Sequence, residues 1–108
     1  MTEKDLKKLI KKIGIPSAYD HFAEGESPGL PFITYRYTSS DNFSADDTVY
    51  FPISNIEIEL YTEKKDPVSE KKVSKNLSDA GIFYEKYESY ISSEKMYQII
   101  FAFSEGTN

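Results

Sequence analysis

The sequence predicts an α+β fold, a two-layer sandwich in the order α-β-β-α-β-β, with a mostly antiparallel four-stranded sheet carrying two helices on one face. Three observations predict it. Leu6, Leu9, Ile10 and Ile13 recur at i, i+3, i+4 and i+7, the spacing of an amphipathic helix. The stretch from Asn55 to Gly81, NIEIELYTEKKDPVSEKKVSKNLSDAG, reads as an alternating strand, a charged turn, a capped helix and a glycine stop. The C-terminal quarter, from Ile82 to Ser104, reads as two more strands around a short polar turn. With 108 residues, no internal repeat and no linker, the chain is one domain, 1–108, made of an N-terminal helix (1–15), a connector (16–31) and a sheet-and-helix core (32–104).

Thr2 to Ile13 forms the first helix, with Thr2 and Asp5 in capping-box positions and Gly14–Ile15–Pro16 as stop, apolar contact and breaker. Lys4, Lys7, Lys8, Lys11 and Lys12 fall on the face away from the apolar stripe, solvated or facing an acidic neighbour. The proline- and glycine-rich connector holds Tyr19 and Phe22 as its large anchors, which fold back over the helix or the sheet edge. It also holds His21, the only histidine. With no second histidine and no cysteine beside it, His21 reads as structural or exposed.

Phe32 to Thr38, FITYRYT, is a strand by its β-branched and aromatic content. Ser39 to Asp47 reads as a polar loop. Its Asp41, Asn42, Asp46 and Asp47 lack the spacing, glycine and closing glutamate of a calcium loop, whereas Phe43, an apolar residue at the tip, reads as a contact point for another molecule. The next strand, Val49 to Tyr61, is interrupted by Pro52, which implies a bulge or an edge start there. From Asn55 its alternation puts Ile56, Ile58 and Leu60 on one face and Glu57, Glu59 and Tyr61 on the other. Two carboxylates on one strand face lack the cleft-spanning placement of a glycosidase pair, so the row reads as solvated or interface-facing.

Asp66 as N-cap and Pro67 at the first turn open the second helix, where Val73, Leu77 and Ala80 form a narrow apolar stripe and Glu70, Lys71, Lys72 and Lys75 face water. Ile82 to Tyr90 and Lys95 to Ser104 are the last strands, the final one apolar on nearly both faces, and Glu105–Asn108 is a frayed tail. Helices on one face leave the other uncovered, and that surface is expected to carry a good share of the tyrosines.

The composition limits function further. There are nine tyrosines, seven phenylalanines and no cysteine, which excludes disulfides, thiolate nucleophiles and cysteine-ligated metal and points to a reducing cytosol. The net charge is −5, and because residues 1–12 sum to +3, the remainder carries −8. An acidic body does not neutralise phosphates, so nucleic-acid binding is not expected. No stretch approaches the roughly 20 apolar residues of a membrane span, and the N-terminus lacks a signal-peptide core. No catalytic, cofactor-binding or metal-ligating constellation is found.

The segments LPFITYRYT, NIEIELYTEKKDP and AGIFYEKYESYISSEKMYQIIFAF resemble small prophage proteins of Gram-positive bacteria that are similar to the tail-completion, or tail-terminator, proteins of long-tailed phages. The similarity covers roughly residues 30–104. It implies a non-enzymatic structural virion protein for head–tail joining, present in the virion and, during assembly, in the host cytoplasm. Such a protein forms a ring, commonly a hexamer, and meets the tail-tube and head-completion proteins. The family's use of loops and sheet edges for ring contacts points to Phe43, Glu57, Glu59 and Tyr61 as interface candidates. The alternative is a cytosolic protein-binding module, a regulator or inhibitor, without catalytic activity.

Overall fold

In the computed structural model, which describes residues 1–45 and 48–106 and the side chains of 1–40 and 53–106, the chain is α+β with two helices and a five-stranded mixed sheet. Helix α1 spans Glu3–Ile13. Its start is a complete capping box: the Asp5 amide donates to Thr2 Oγ1 at 3.1 Å and the Thr2 amide donates to Asp5 Oδ2 at 2.9 Å. Those hydrogen bonds from Thr2 hold the Asp5 carboxyl below its ordinary value. Gly14, at φ 81°, closes the helix in the left-handed region, and Leu6, Leu9, Ile10 and Ile13 are all buried.

The connector is more than a connector. Ser17–Tyr19 forms strand β1, paired in parallel with Ile33–Tyr35 of strand β2 (Phe32–Ala45). This raises the sheet from the expected four strands to five and makes it mixed. Asp20 then turns the chain with φ 64°, a conformation that Asp tolerates better than most residues. Phe22 folds back as expected, its ring 5.3 Å from that of Phe32.

A second correction concerns Ser39–Asp47, expected as a loop. Strand β2 continues through Ala45 and pairs with strand β3, Thr48–Thr62, so most of that segment is ladder. Ser39–Ala45 carries no apolar alternation of its own, and the ladder to β3 is what extends it as a strand. The radius of gyration, 15.0 Å against about 13 Å for a compact chain of this length, reflects the long hairpin. The register slips at Thr38 of β2 and again opposite Phe43/Ser44, near Pro52. Pro52 lies one residue past the last β3–β5 pair, in the two-stranded part of the arm, where a ladder tolerates proline.

Helix α2, Pro67–Asp79, starts where Asp66 accepts from the Ser69 amide at 3.1 Å and from its hydroxyl at 2.7 Å. It ends in a Schellman motif: the Ile82 amide donates to Leu77 O at 2.9 Å and the Gly81 amide to Ser78 O at 3.0 Å, with Ile82 buried near the last turn. Gly81 has φ 72° and open space where a Cβ would stand. Gly81→Ala is therefore expected to destabilise the domain by about 1–2 kcal/mol through backbone strain alone, measured by urea unfolding with an unchanged slope.

Strands β4 (Glu85–Ile91) and β5 (Met96–Gly106) complete the sheet, in the order β1-β2-β3-β5-β4. Strand β5 lies between β3 and β4, as its two apolar faces suggest. Glu105 and Gly106, expected to fray, instead pair with Ser54 and Ile53, and Gly106 O accepts from the Met1 amino group at 2.7 Å. Both helices pack on one face, over Ile33, Tyr35, Ile56, Ile58, Leu60, Ile99, Phe101 and Phe103.

The polar side of α2 also needs correction. Ala80 is exposed, and Glu70, expected in water, is only 4% exposed. Glu70 stands three and seven residues before Val73 and Leu77, on the same stripe, so the helix carries it into the sheet. Two lysines meet it there. Lys65 Nζ donates to Glu70 Oε1 at 2.9 Å and approaches Oε2 to 2.7 Å, while Lys86 Nζ stands 2.6 Å from Oε1. Glu88 Oε1 lies 2.5 Å from Lys65 Nζ and completes a four-residue chain that ties α2 to β4.

Candidate functional site: the open face of the sheet

Strand parity defines the face away from the helices. Cross-strand pairing places Thr34, Glu59, Ile100 and Tyr87 in one row, Arg36, Glu57, Ala102 and Glu85 in the next, and Phe32, Tyr61, Gln98 and Ser89 on the other side. Neither helix packs on this side. The connector covers one corner: Asp20, His21, Phe22, Ser27, Phe32, Thr34 and Tyr61 line a shallow cleft of about 270 Å³ there.

Three of the four interface candidates meet on this face. Glu59 is buried at its centre, 8% exposed, and its carboxylate is fully engaged. Tyr61 OH donates to Glu59 Oε2 at 2.8 Å, and Gln98 Nε2 donates to the same oxygen at 3.1 Å and to Tyr61 OH at 2.9 Å. Arg36 lies across both acids, Nε 3.3 Å from Glu59 Oε1 and Nη2 3.7 Å from Glu57 Oε2. Burial, followed by the hydrogen bond to Glu59, pushes the Tyr61 phenol above its ordinary value. The row is thus an ordered network in which one cation is shared by two carboxylates. One arginine bridges two carboxylates side by side on a strand, an arrangement that fixes side chains and presents a surface. The fourth candidate, Phe43, has its backbone in β2 opposite Phe51, and its side chain lies outside the described residues, as do those of Asp41, Asn42, Asp46 and Asp47.

His21 is apart from this network on the connector, strongly exposed, with Nδ1 2.9 Å from Asp20 Oδ2. Among the described residues, no group of three or more His, Asp or Glu side chains converges as a metal site would require. No described helix is long and apolar enough to cross a membrane.

Sequence reasoning missed Arg36, Gln98, Ile100 and Tyr87 as members of the face. The signal was available in part: once Ile99, Phe101 and Phe103 are assigned inward, Gln98, Ile100 and Ala102 must point outward. The registers of β2 and β4, which bring Arg36 and Tyr87 alongside, are set by pairing. The tyrosines are also placed differently from the expectation. Of the strand tyrosines whose side chains are described, Tyr61 and Tyr87 lie on the open face, while Tyr19, Tyr35, Tyr37, Tyr90 and Tyr97 share the helix-side parity. There Tyr35 belongs to the core, Tyr37 and Tyr97 pack half-buried against it, and Tyr19 and Tyr90 stay half-exposed.

No protein-family model matches the sequence, and no curated protein matches it.

Proposed function

We propose that the chain is a structural subunit of a phage or prophage particle, a tail-completion or terminator protein at the head–tail joint that acts by assembling with its own copies into a ring. The observation that carries this reading is the sheet face opposite the helices. It combines an ordered polar network at Arg36, Glu57, Glu59 and Gln98 with half-buried Ile100 and Ala102 and the half-exposed Tyr87. A surface of apolar centres beside prearranged polar groups loses little side-chain entropy on contact, which suits docking of another subunit. The resemblance of the LPFITYRYT, NIEIELYTEKKDP and C-terminal segments to tail-completion proteins supplies the biological setting.

The basic row of α1 against an acidic body adds charge complementarity between copies. The two-stranded end of the β2–β3 hairpin provides a further backbone edge for contacts with neighbours. The reading is tested by mixing the pure protein with tail-tube protein and imaging the products. Rings that cap tube ends are expected. Free tubes of unrestricted length, with the protein monomeric beside them, would overturn it. A tight one-to-one complex with a host protein, without rings, would favour the regulator instead.

A further inference from the structure

The tyrosines displaced from the open face create a second feature, independent of the assembly reading. Tyr19, Tyr35 and Tyr37 line a cleft of about 410 Å³ between the first turns of α1 and the β1–β2 side of the sheet, together with Leu6, Glu3 and Lys7. We propose that this cleft binds a small zwitterion that carries a quaternary ammonium group and an anionic group, of the phosphocholine or betaine type.

The rings form walls. Tyr19 and Tyr35 meet edge to face, with centroids 5.4 Å apart and planes at 89°, and Tyr37 stands 6.3 Å from Tyr19, tilted by 41°. With Tyr19 at 89° to Tyr35 and at 41° to Tyr37, the rings that line this space turn π-faces in more than one direction, and such faces hold a methylated ammonium by cation–π attraction. The group is preorganised. Tyr35 is buried in the core, and the Tyr37 amide donates to Tyr19 OH at 3.2 Å, which pins the half-exposed Tyr19 ring against its neighbours.

The two charges at the rim match a zwitterion. Glu3 lines the cleft together with Tyr37, whose phenol is held above its ordinary value by burial first and then by the Glu3 charge. Glu3 thus adds a negative charge beside the rings for the ammonium. Lys7 follows one helical turn later on the same side of α1 and has no ion-pair partner among the described residues. A lone quaternary ammonium would be repelled by Lys7, whereas a ligand with an attached phosphate or carboxylate would pair with it.

Titration with phosphocholine, choline and the uncharged choline isostere 3,3-dimethylbutan-1-ol, followed by the tyrosine ring resonances, separates the contributions. Saturable shifts at Tyr19, Tyr35 and Tyr37 are expected, with choline binding about fivefold more tightly than the isostere and phosphocholine more tightly again. Tyr19→Leu should abolish binding and Tyr19→Phe should keep it. Lys7→Gln should erase the advantage of phosphocholine over choline, and Glu3→Gln should weaken both. Tyr19 is half-exposed, and circular dichroism verifies that each variant folds. Sedimentation with phosphatidylcholine vesicles distinguishes a lipid headgroup, which brings the protein down with the vesicles, from a free solute, which does not; either source supports the site. Absence of saturable shifts with phosphocholine, or equal binding of the uncharged isostere, would overturn the proposal.

Discussion

Phe101→Ala is expected to destabilise the domain by about 3–5 kcal/mol, a large fraction of the roughly 5–15 kcal/mol typical of a domain. Phe101 has no exposed surface and lies on β5, opposite Ile58 on one side and Lys86 on the other. Its ring centroid is 5.5 Å from that of Tyr84, and the Lys86 ammonium sits 5.9 Å above it. Removal of the ring leaves a cavity in the core and takes the packing surface from the lysine that pairs with Glu70. Phe101→Leu retains most of the volume and should lose less than about 1.5 kcal/mol. Phe83 is the control: it is 88% exposed, and Phe83→Ala should stay within about 0.5 kcal/mol. Chemical denaturation of the three variants checks the ranking. A Phe101→Ala protein as stable as Phe83→Ala would contradict the packing described for β5.

The second large effect lies in the ion chain beneath α2. Lys65→Met with Lys86→Met removes both cations that face the buried Glu70 carboxylate and should lower stability by about 3–5 kcal/mol near neutral pH. Adding Glu70→Met removes the stranded charge and should recover most of the loss, because an apolar trio avoids desolvation. The pH dependence has a definite sign. Burial pushes the Glu70 carboxyl up, but the hydrogen bonds and charges of Lys65 and Lys86 outweigh it and hold the group below its ordinary value. A folded value below the unfolded one, about 4.3, means that this contribution is fully present above that pH. It is lost as the pH falls through the folded value. Asp66 acts in the same direction, lowered by its hydrogen bonds from Ser69. In the Lys65→Met/Lys86→Met protein the Glu70 value should rise, so its stability should improve as the pH is lowered from 7 towards 5, whereas the Glu70 contribution in the parent stays constant across that range. Thermal unfolding across that range measures both slopes. A parental slope in the double variant would show that Glu70 is not buried as a paired anion.

Much of the fold was legible because several local signals agreed. The Thr2–Asp5 capping box, the Asp66–Pro67 start, the glycine stops and the alternation of Ile56, Ile58 and Leu60 each reappear where the residues placed them. What was missed depends on distant partners. Strand β1 is three residues long and becomes a strand by pairing in parallel with Ile33–Tyr35, a contact without hairpin chemistry to announce it. The polar run Ser39–Ala45 is a strand through its ladder to β3, since it has no apolar alternation of its own. Glu70 illustrates a readable signal overridden by residue type: its helical position matched Val73 and Leu77, but the charge suggested water. On the open face, Glu57, Glu59 and Tyr61 were placed together by alternation alone, whereas Arg36 and Gln98, which complete their network, required the registers of β2 and β5. The tyrosine cleft was hidden for the same reason, because its members come from α1, β1 and β2.

The central proposal is that the open face of the sheet is an assembly surface, and a single comparison tests it most directly. Light scattering would follow the mass of the wild-type protein and of Tyr87→Lys with Ile100→Lys, alone and with tail-tube protein, over a wide concentration range. Tyr87 is half-exposed and Ile100 is partly buried, both on the open face away from the core, so the double variant should keep the fold. The wild type is expected to form a closed oligomer, at high concentration or on tail-tube ends, and the variant to remain a folded monomer under both conditions. A wild-type protein that stays monomeric in both settings, or a variant that assembles as well as the wild type, would contradict it.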